Sequence, residues 1–133
     1  MKHVVVATLG DAIAAVDAER VSHIVWDTRV TPLPGSPSYI EGVLAYRRNL
    51  VGVVDLARKL KRKSDGSRKH IVLVQEDDMM VGLRVDRVLG VFSCDAPVHG
   101  DPGVIKVQNR DALLVQPGDV LSGKAKRVLH ELY

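Results

Sequence analysis

One cysteine, Cys94, stands among the 133 residues. A lone cysteine permits neither an intramolecular disulfide nor a cysteine metal cluster, and it fits a reducing cytoplasm. Aromatic residues make up only 4% of the chain. That is too few for the stacking platforms that hold single-stranded nucleic acid. No apolar run approaches the ~20 residues needed to span a bilayer. The opening Met1-Lys2-His3 before Val4-Val5-Val6 is too short and too soon polar for a secretory leader, so a cytoplasmic location is expected. His3, His23, His70, His99 and His130 nowhere fall at ligand spacing, and P-loop, H-E-x-x-H and G-x-S-x-G patterns are missing. Glu76-Asp77-Asp78 lacks the EF-hand spacing and reads as a solvated turn. No catalytic residue, metal site or cofactor is expected.

What the chain does hold is the same pattern written twice. Sliding residues 4 to 24 forward by 67 positions pairs Val4 with Ile71, Ile13 with Met80, Val16 with Leu83, Glu19 with Asp86, Arg20 with Arg87, Val21 with Val88 and Ile24 with Val91. A second block, Gly42-Val43-Leu44 through Leu50-Val51, lines up with Gly103-Val104-Ile105 through Ala112-Leu113 if one extra residue is allowed in the later copy. A half-unit of ~65 residues buries a core poorly alone, so the two copies are expected to pack into one domain over 1–133. The two lobes fall at roughly 3–60 and 70–121, with exchange of strands between them left open. With 46% hydrophobic and 26% charged residues, a globular fold is indicated.

Local signals predict short strands. Apolar runs at 3–9 and 12–16 flank the turn dipeptide Gly10-Asp11, a hairpin signature. Asp17 is placed to cap a brief helical turn over Ala18-Glu19-Arg20. Thr31 to Pro37 holds three of the six prolines, which deny a sheet its donors, and reads as an ordered crossing loop. Val43 to Leu56 is interrupted at Arg47-Arg48-Asn49, the expected tip of a charged hairpin. The second half repeats this order, and Lys124 to Tyr133 is expected to form a short helix. Many short strands at turn spacing indicate β-barrels or a sandwich.

Charge is local. Residues 58 to 69 carry seven Lys or Arg and one Asp, a balance of +6, so the rest of a chain of net charge +3 sums to −3. The stretch centred on Ser64-Asp65-Gly66-Ser67 reads as a flexible inter-lobe loop. It also supports a rival reading, a nucleic-acid-binding small β-barrel protein using segment 58–69, because positive charge attracts phosphate without sequence preference. The segment contains no aromatic residue, which disfavours nucleic acid as partner. An anionic membrane surface would attract the same charges.

Residues 39 to 56, YIEGVLAYRRNLVGVVDL, resemble the CheW family of chemotaxis adaptors, whose pattern runs Y-I-x-G-V-x-N-L-R-G-x-V-I-P-V-V-D-L. Thr31-Pro32-Leu33-Pro34 is similar to the family's T-P-V-P approach. Val81 to Val88, VGLRVDRV, is similar to its V-G-L-x-V-D-x-V. The resemblance implies an all-β fold with short helices, two SH3-like five-stranded barrel lobes about a pseudo-twofold axis. It also implies a non-enzymatic adaptor joining the regulatory domain of a CheA-type histidine kinase to the cytoplasmic tip of a methyl-accepting chemoreceptor. Receptor binding is carried over to Gly42, Arg47, Arg48 and Val88, and kinase binding to Val21, His23 and Ile24. The chain departs from the pattern at His23, which replaces an acidic residue, at Ala45-Tyr46 for Asn-Leu, at Arg48 for glycine and at Gly52 for proline.

An arginine at a hairpin tip is by default solvated, yet its rigid fork of donors suits a carboxylate or carbonyl-rich partner. His23 is by default a surface or satisfied histidine, and at a kinase contact it would titrate near neutrality. Barrel edges leave room for a homo-oligomer.

Overall fold

Gly10 and Asp11 do close a hairpin, and the strand signals elsewhere fall in phase with it. The computed structural model describes residues 2–26, 29–76, 79–94 and 103–116. The strands are β1 (Lys2–Leu9), β2 (Ala12–Asp17), β3 (Val21–Trp26), β4 (Ile40–Tyr46), β5 (Asn49–Asp55), β6 (His70–Glu76), β7 (Met79–Val85), β8 (Arg87–Cys94), β9 (Gly103–Val107) and β10 (Arg110–Val115). One helical turn, α1 (Leu56–Lys59), follows β5. A 3-10 turn over Ala18–Arg20 joins β2 to β3, and Asp17 caps it by accepting the Glu19 N–H at 3.0 Å. The helix expected over 124–133 and most of the approach to β9 lie outside the described residues.

The strands form two five-stranded sheets, ordered β8-β1-β2-β10-β9 and β3-β6-β7-β5-β4. The exchange left open by the sequence is present. Hairpin β1–β2 of the first copy sits among strands of the second, and hairpin β6–β7 of the second sits among strands of the first. At the two seams the pairing is parallel, Leu113 to Val115 of β10 against Ala14 to Val16 of β2, and Gly52 to Asp55 of β5 against Val81 to Arg84 of β7. Every other strand pair is antiparallel.

The pseudo-twofold extends to irregularities. A bulge between Val21 and His23 on β3 is matched by one between Val88 and Gly90 on β8, opposite Leu73–Val74 and Val6–Ala7 respectively. The offset of 67 holds through both. In the second block the structure corrects the alignment, for no extra residue is present. The hairpins β4–β5 and β9–β10 have the same register, Leu44 facing Val51 and Ile105 facing Ala112, with two-residue turns Arg47-Arg48 and Gln108-Asn109. A constant offset of 61 pairs exposed Leu50 with exposed Asp111 and buried Val51 with buried Ala112. Shifting by one residue would turn the buried face outward, so the side-chain alternation overrides the similarity of Leu-Val to Ala-Leu.

Three apolar clusters follow from this arrangement. Val4, Val6, Ile13, Ala15, Ile105, Val107 and Ala112 fill one lobe. Leu44, Val51, Val53, Ile71 and Leu73 fill the other. The largest lies between them and takes Ala7, Leu9, Ala14 and Val16 from one sheet and Val72, Val74, Met79, Val81, Leu83 and Val85 from the other. The hairpin strands β1, β2, β6 and β7 therefore bury both faces, which is why they read as continuous apolar runs. Strands β3 and β8 alternate exposed and half-buried residues along most of their length, and each lies at the edge of its sheet.

Candidate protein-docking site

The β4–β5 turn positions the two arginines. Arg47 and Arg48 have φ of 48° and 69°, the left-handed conformation that both central residues of such a tight turn require. Asn and Gly adopt it readily, whereas an arginine there costs roughly 1 kcal/mol. Both side chains are exposed at the tip. The Arg47 guanidinium lies over the ring of Tyr46, 5.3 Å from its centroid. The Tyr46 ring is half-buried, packed on the Leu44–Val51–Val53 cluster, so the residue beneath the arginine is fixed by the lobe interior.

Strand β3 brings the second group to the same corner. Its bulge places His23, with the imidazole centroid 5.3 Å from that of Tyr46 and the two planes tilted by 52°. Nδ1 of His23 lies 3.2 Å from the Ser22 hydroxyl. The closure that makes this possible runs through Thr31, which exchanges two backbone hydrogen bonds of 2.8 Å with Val43. Gly42 lets the chains approach, since a Cβ at that position would stand 2.0 Å from the Thr31 carbonyl oxygen. The loop rich in proline is thus ordered as expected, and it brings β3 round to β4.

The remaining expected site residues lie elsewhere. Ile24 is on the outer face of β3 and exposed, next but one to Trp26, which is 70% exposed with its ring 4.6 Å from that of His70. Gly42 is buried beneath Thr31. Val21 and Val88 are pseudo-twofold mates, both half-buried against the cluster between the lobes. The Val88 N–H donates to Nδ1 of His70 at 3.1 Å. Burial first, and then the charges of Lys69 and Arg87, hold the His70 pKa below its ordinary value and favour the neutral ring that can accept this bond. Of the seven residues, His23 and Arg47 come together at one corner, joined by Tyr46, with Arg48 next to Arg47 in the turn. Sequence reasoning passed over Tyr46, although an aromatic beside two arginines at a hairpin tip was the available signal.

Two charge networks frame the lobe. The buried Arg84 grips Glu41 through Nε at 3.0 Å and Nη2 at 2.8 Å, while Arg68 bridges Glu41 at 2.6 Å and Asp55 at 2.8 Å. The hydrogen bond with Asp55 outweighs burial and raises the Arg68 pKa further. Asp86 organises the basic segment. Its carboxylate accepts the N–H groups of Gly10 at 2.7 Å and Asp65 at 2.9 Å and the hydroxyl of Ser64, and its carbonyl accepts the Lys69 N–H at 2.8 Å. The stretch expected to be a flexible loop is therefore hydrogen-bonded to the body. Lys61, Arg62 and Lys63 remain exposed on it.

Among the described residues no cluster of His, Cys, Asp or Glu is arranged to hold a metal ion, and no helix is long and apolar enough to cross a membrane. The CheW-like domain model matches residues 3–119. The chain is 36% identical to the chemotaxis protein CheW of Thermotoga maritima over 79 residues, covering 59% of this chain and 52% of that protein, so it spans about half of that relative's length. Against CheW of Rhizobium meliloti the identity is 26%, covering 89% of this chain and 86% of the relative. The crystal structure of the scaffolding protein TtCheW from Thermoanaerobacter tengcongensis superposes with a TM-score of 0.81 at 23% identity, over 93% of this chain and 94% of that one, a likeness of fold.

Proposed function

The chain belongs to the CheW-like family, and from that premise we propose that it is a non-enzymatic, cytoplasmic signalling adaptor coupling a CheA-type histidine kinase to chemoreceptors. The observation that carries the reading, beside the family, is the exposed corner where the β4–β5 tip meets β3. It offers guanidinium groups and an imidazole on a rigid frame, with apolar Ile24 exposed farther along β3. Such a surface recognises another protein by non-covalent contact. In this reading Arg47 and Arg48 face a receptor tip, and the edge strand β3 meets the regulatory domain of the kinase, with His23 on one of its faces and Ile24 on the other. Holding both partners raises their concentration near each other without new chemistry.

Calorimetric titration with the CheA-type regulatory domain from the same source, at two salt concentrations, tests the proposal. Saturable binding with a negative heat-capacity change is expected, because apolar surface is buried. Absence of binding to that domain and to a receptor-tip fragment overturns it. Arg47→Glu is expected to weaken the receptor fragment in a folded protein. Unchanged affinity would remove Arg47 from the contact.

A further inference from the structure

We propose that Tyr46 is a positioning residue that binds His23 and Arg47 into one recognition surface, so that the kinase-side and receptor-side contacts are energetically coupled through its ring. The inference rests on the adaptor reading above and adds to it a residue and a coupling. His23 lies on β3 and Arg47 in the β4–β5 turn, 24 positions apart in sequence, yet each meets the same ring at 5.3 Å. A guanidinium held over an aromatic face has lost part of its rotamer freedom before a partner arrives, so less entropy is lost on binding.

The pseudo-twofold supplies an internal control. The position matching Tyr46 in the other hairpin is Val107, and the position matching His23 in the other bulge is Gly90. That lobe forms the same hairpin, the same left-handed turn at Gln108-Asn109 and the same bulge without any ring contact there. The fold therefore has no need of the stack, and it is present in one lobe only. Backbone strain points the same way. Two arginines occupy left-handed positions at the tip, and among the described residues no carboxylate forms an ion pair with either. Strain kept at an exposed, unpaired charge is explained by a partner that uses the charge.

The test compares Tyr46→Phe, which keeps the ring, with Tyr46→Leu, which keeps apolar volume on the lobe core but has no π face. Binding of the CheA-type regulatory domain and of a receptor-tip fragment is measured separately by calorimetry, with thermal melting as the control for folding. Tyr46→Leu should weaken both partners by about 5-fold or more and Tyr46→Phe by less than about 2-fold. His23→Ala should weaken the receptor fragment in the wild-type background and leave it unchanged in Tyr46→Leu. Wild-type affinity of Tyr46→Leu for both partners, or loss of only one, overturns the proposal. If Tyr46→Leu melts early, a double-mutant cycle of His23→Ala and Arg47→Ala on intact Tyr46 decides, with strict additivity for each partner overturning the coupling. Failure of the wild-type protein to bind either partner overturns the adaptor reading itself, and this inference with it.

Discussion

The Asp86 carboxylate accepts the backbone N–H of Gly10 at 2.7 Å, across 76 positions of sequence. Gly10 lies in the first hairpin turn, with φ of 62°, and a Cβ there would strike the Lys63 carbonyl oxygen at 1.9 Å. One carboxylate thus draws together the β1–β2 turn, the basic segment and the start of β8.

Asp86→Asn should cost about 2 kcal/mol at neutral pH, because an amide nitrogen cannot accept the N–H groups that the second carboxylate oxygen now takes. Burial alone would raise this pKa, but the bonds from Ser64, Asp65, Gly10 and Arg68 outweigh it and hold the carboxyl below its ordinary 3.8. A depressed folded pKa gives stability that is complete above the unfolded value and lost as pH falls through the folded one. Urea unfolding of the wild type should therefore weaken below about pH 4, and Asp86→Asn should show a shallower acid limb.

Glu41→Ala leaves the Arg84 guanidinium, 7% exposed, without its bidentate partner. A loss of about 3 kcal/mol is expected. Glu41→Leu with Arg84→Met should recover most of it, measured as the urea midpoint.

Two glycines share a positive φ, 82° at Gly35 and 153° at Gly42, and differ in close approach. A Cβ on Gly35 would meet nothing within 4 Å, whereas on Gly42 it would stand 2.0 Å from the Thr31 carbonyl oxygen. Gly35→Ala should cost about 1 kcal/mol, the penalty of the left-handed region alone. Gly42→Ala should cost about 3 kcal/mol or more, since the β3–β4 crossing must move. Thermal unfolding of the two variants side by side checks the contrast.

Replacing Arg47-Arg48 by Asn-Gly should stabilise the protein by about 1 kcal/mol through relief of the turn. The same variant should lose affinity for a receptor-tip fragment. A variant that is no more stable would mean that contacts of the two arginines offset the strain.

Much of the fold was legible because its signals are local. Gly10-Asp11, the Asp17 cap and the alternation beyond Gly42 each act within a few residues, and each formed the element it indicated. Less of the candidate site was legible. His23 and Arg47 were expected singly from a family pattern, while Tyr46 and the clamp at Asp86 gain meaning only when distant strands meet.

The sequence by itself determined the duplication, the strand phases and the turns, since a period of two and a capping carboxylate work at short range. Tertiary structure decided which hairpin enters which sheet, because both copies carry the same apolar pattern and either sheet could accept either hairpin. It also fixed the true offset of 61 in the second block through side-chain alternation. Closure of the lobe through Thr31 and Val43 then set His23 beside Tyr46, a contact made by chain crossing that residue identity alone cannot specify.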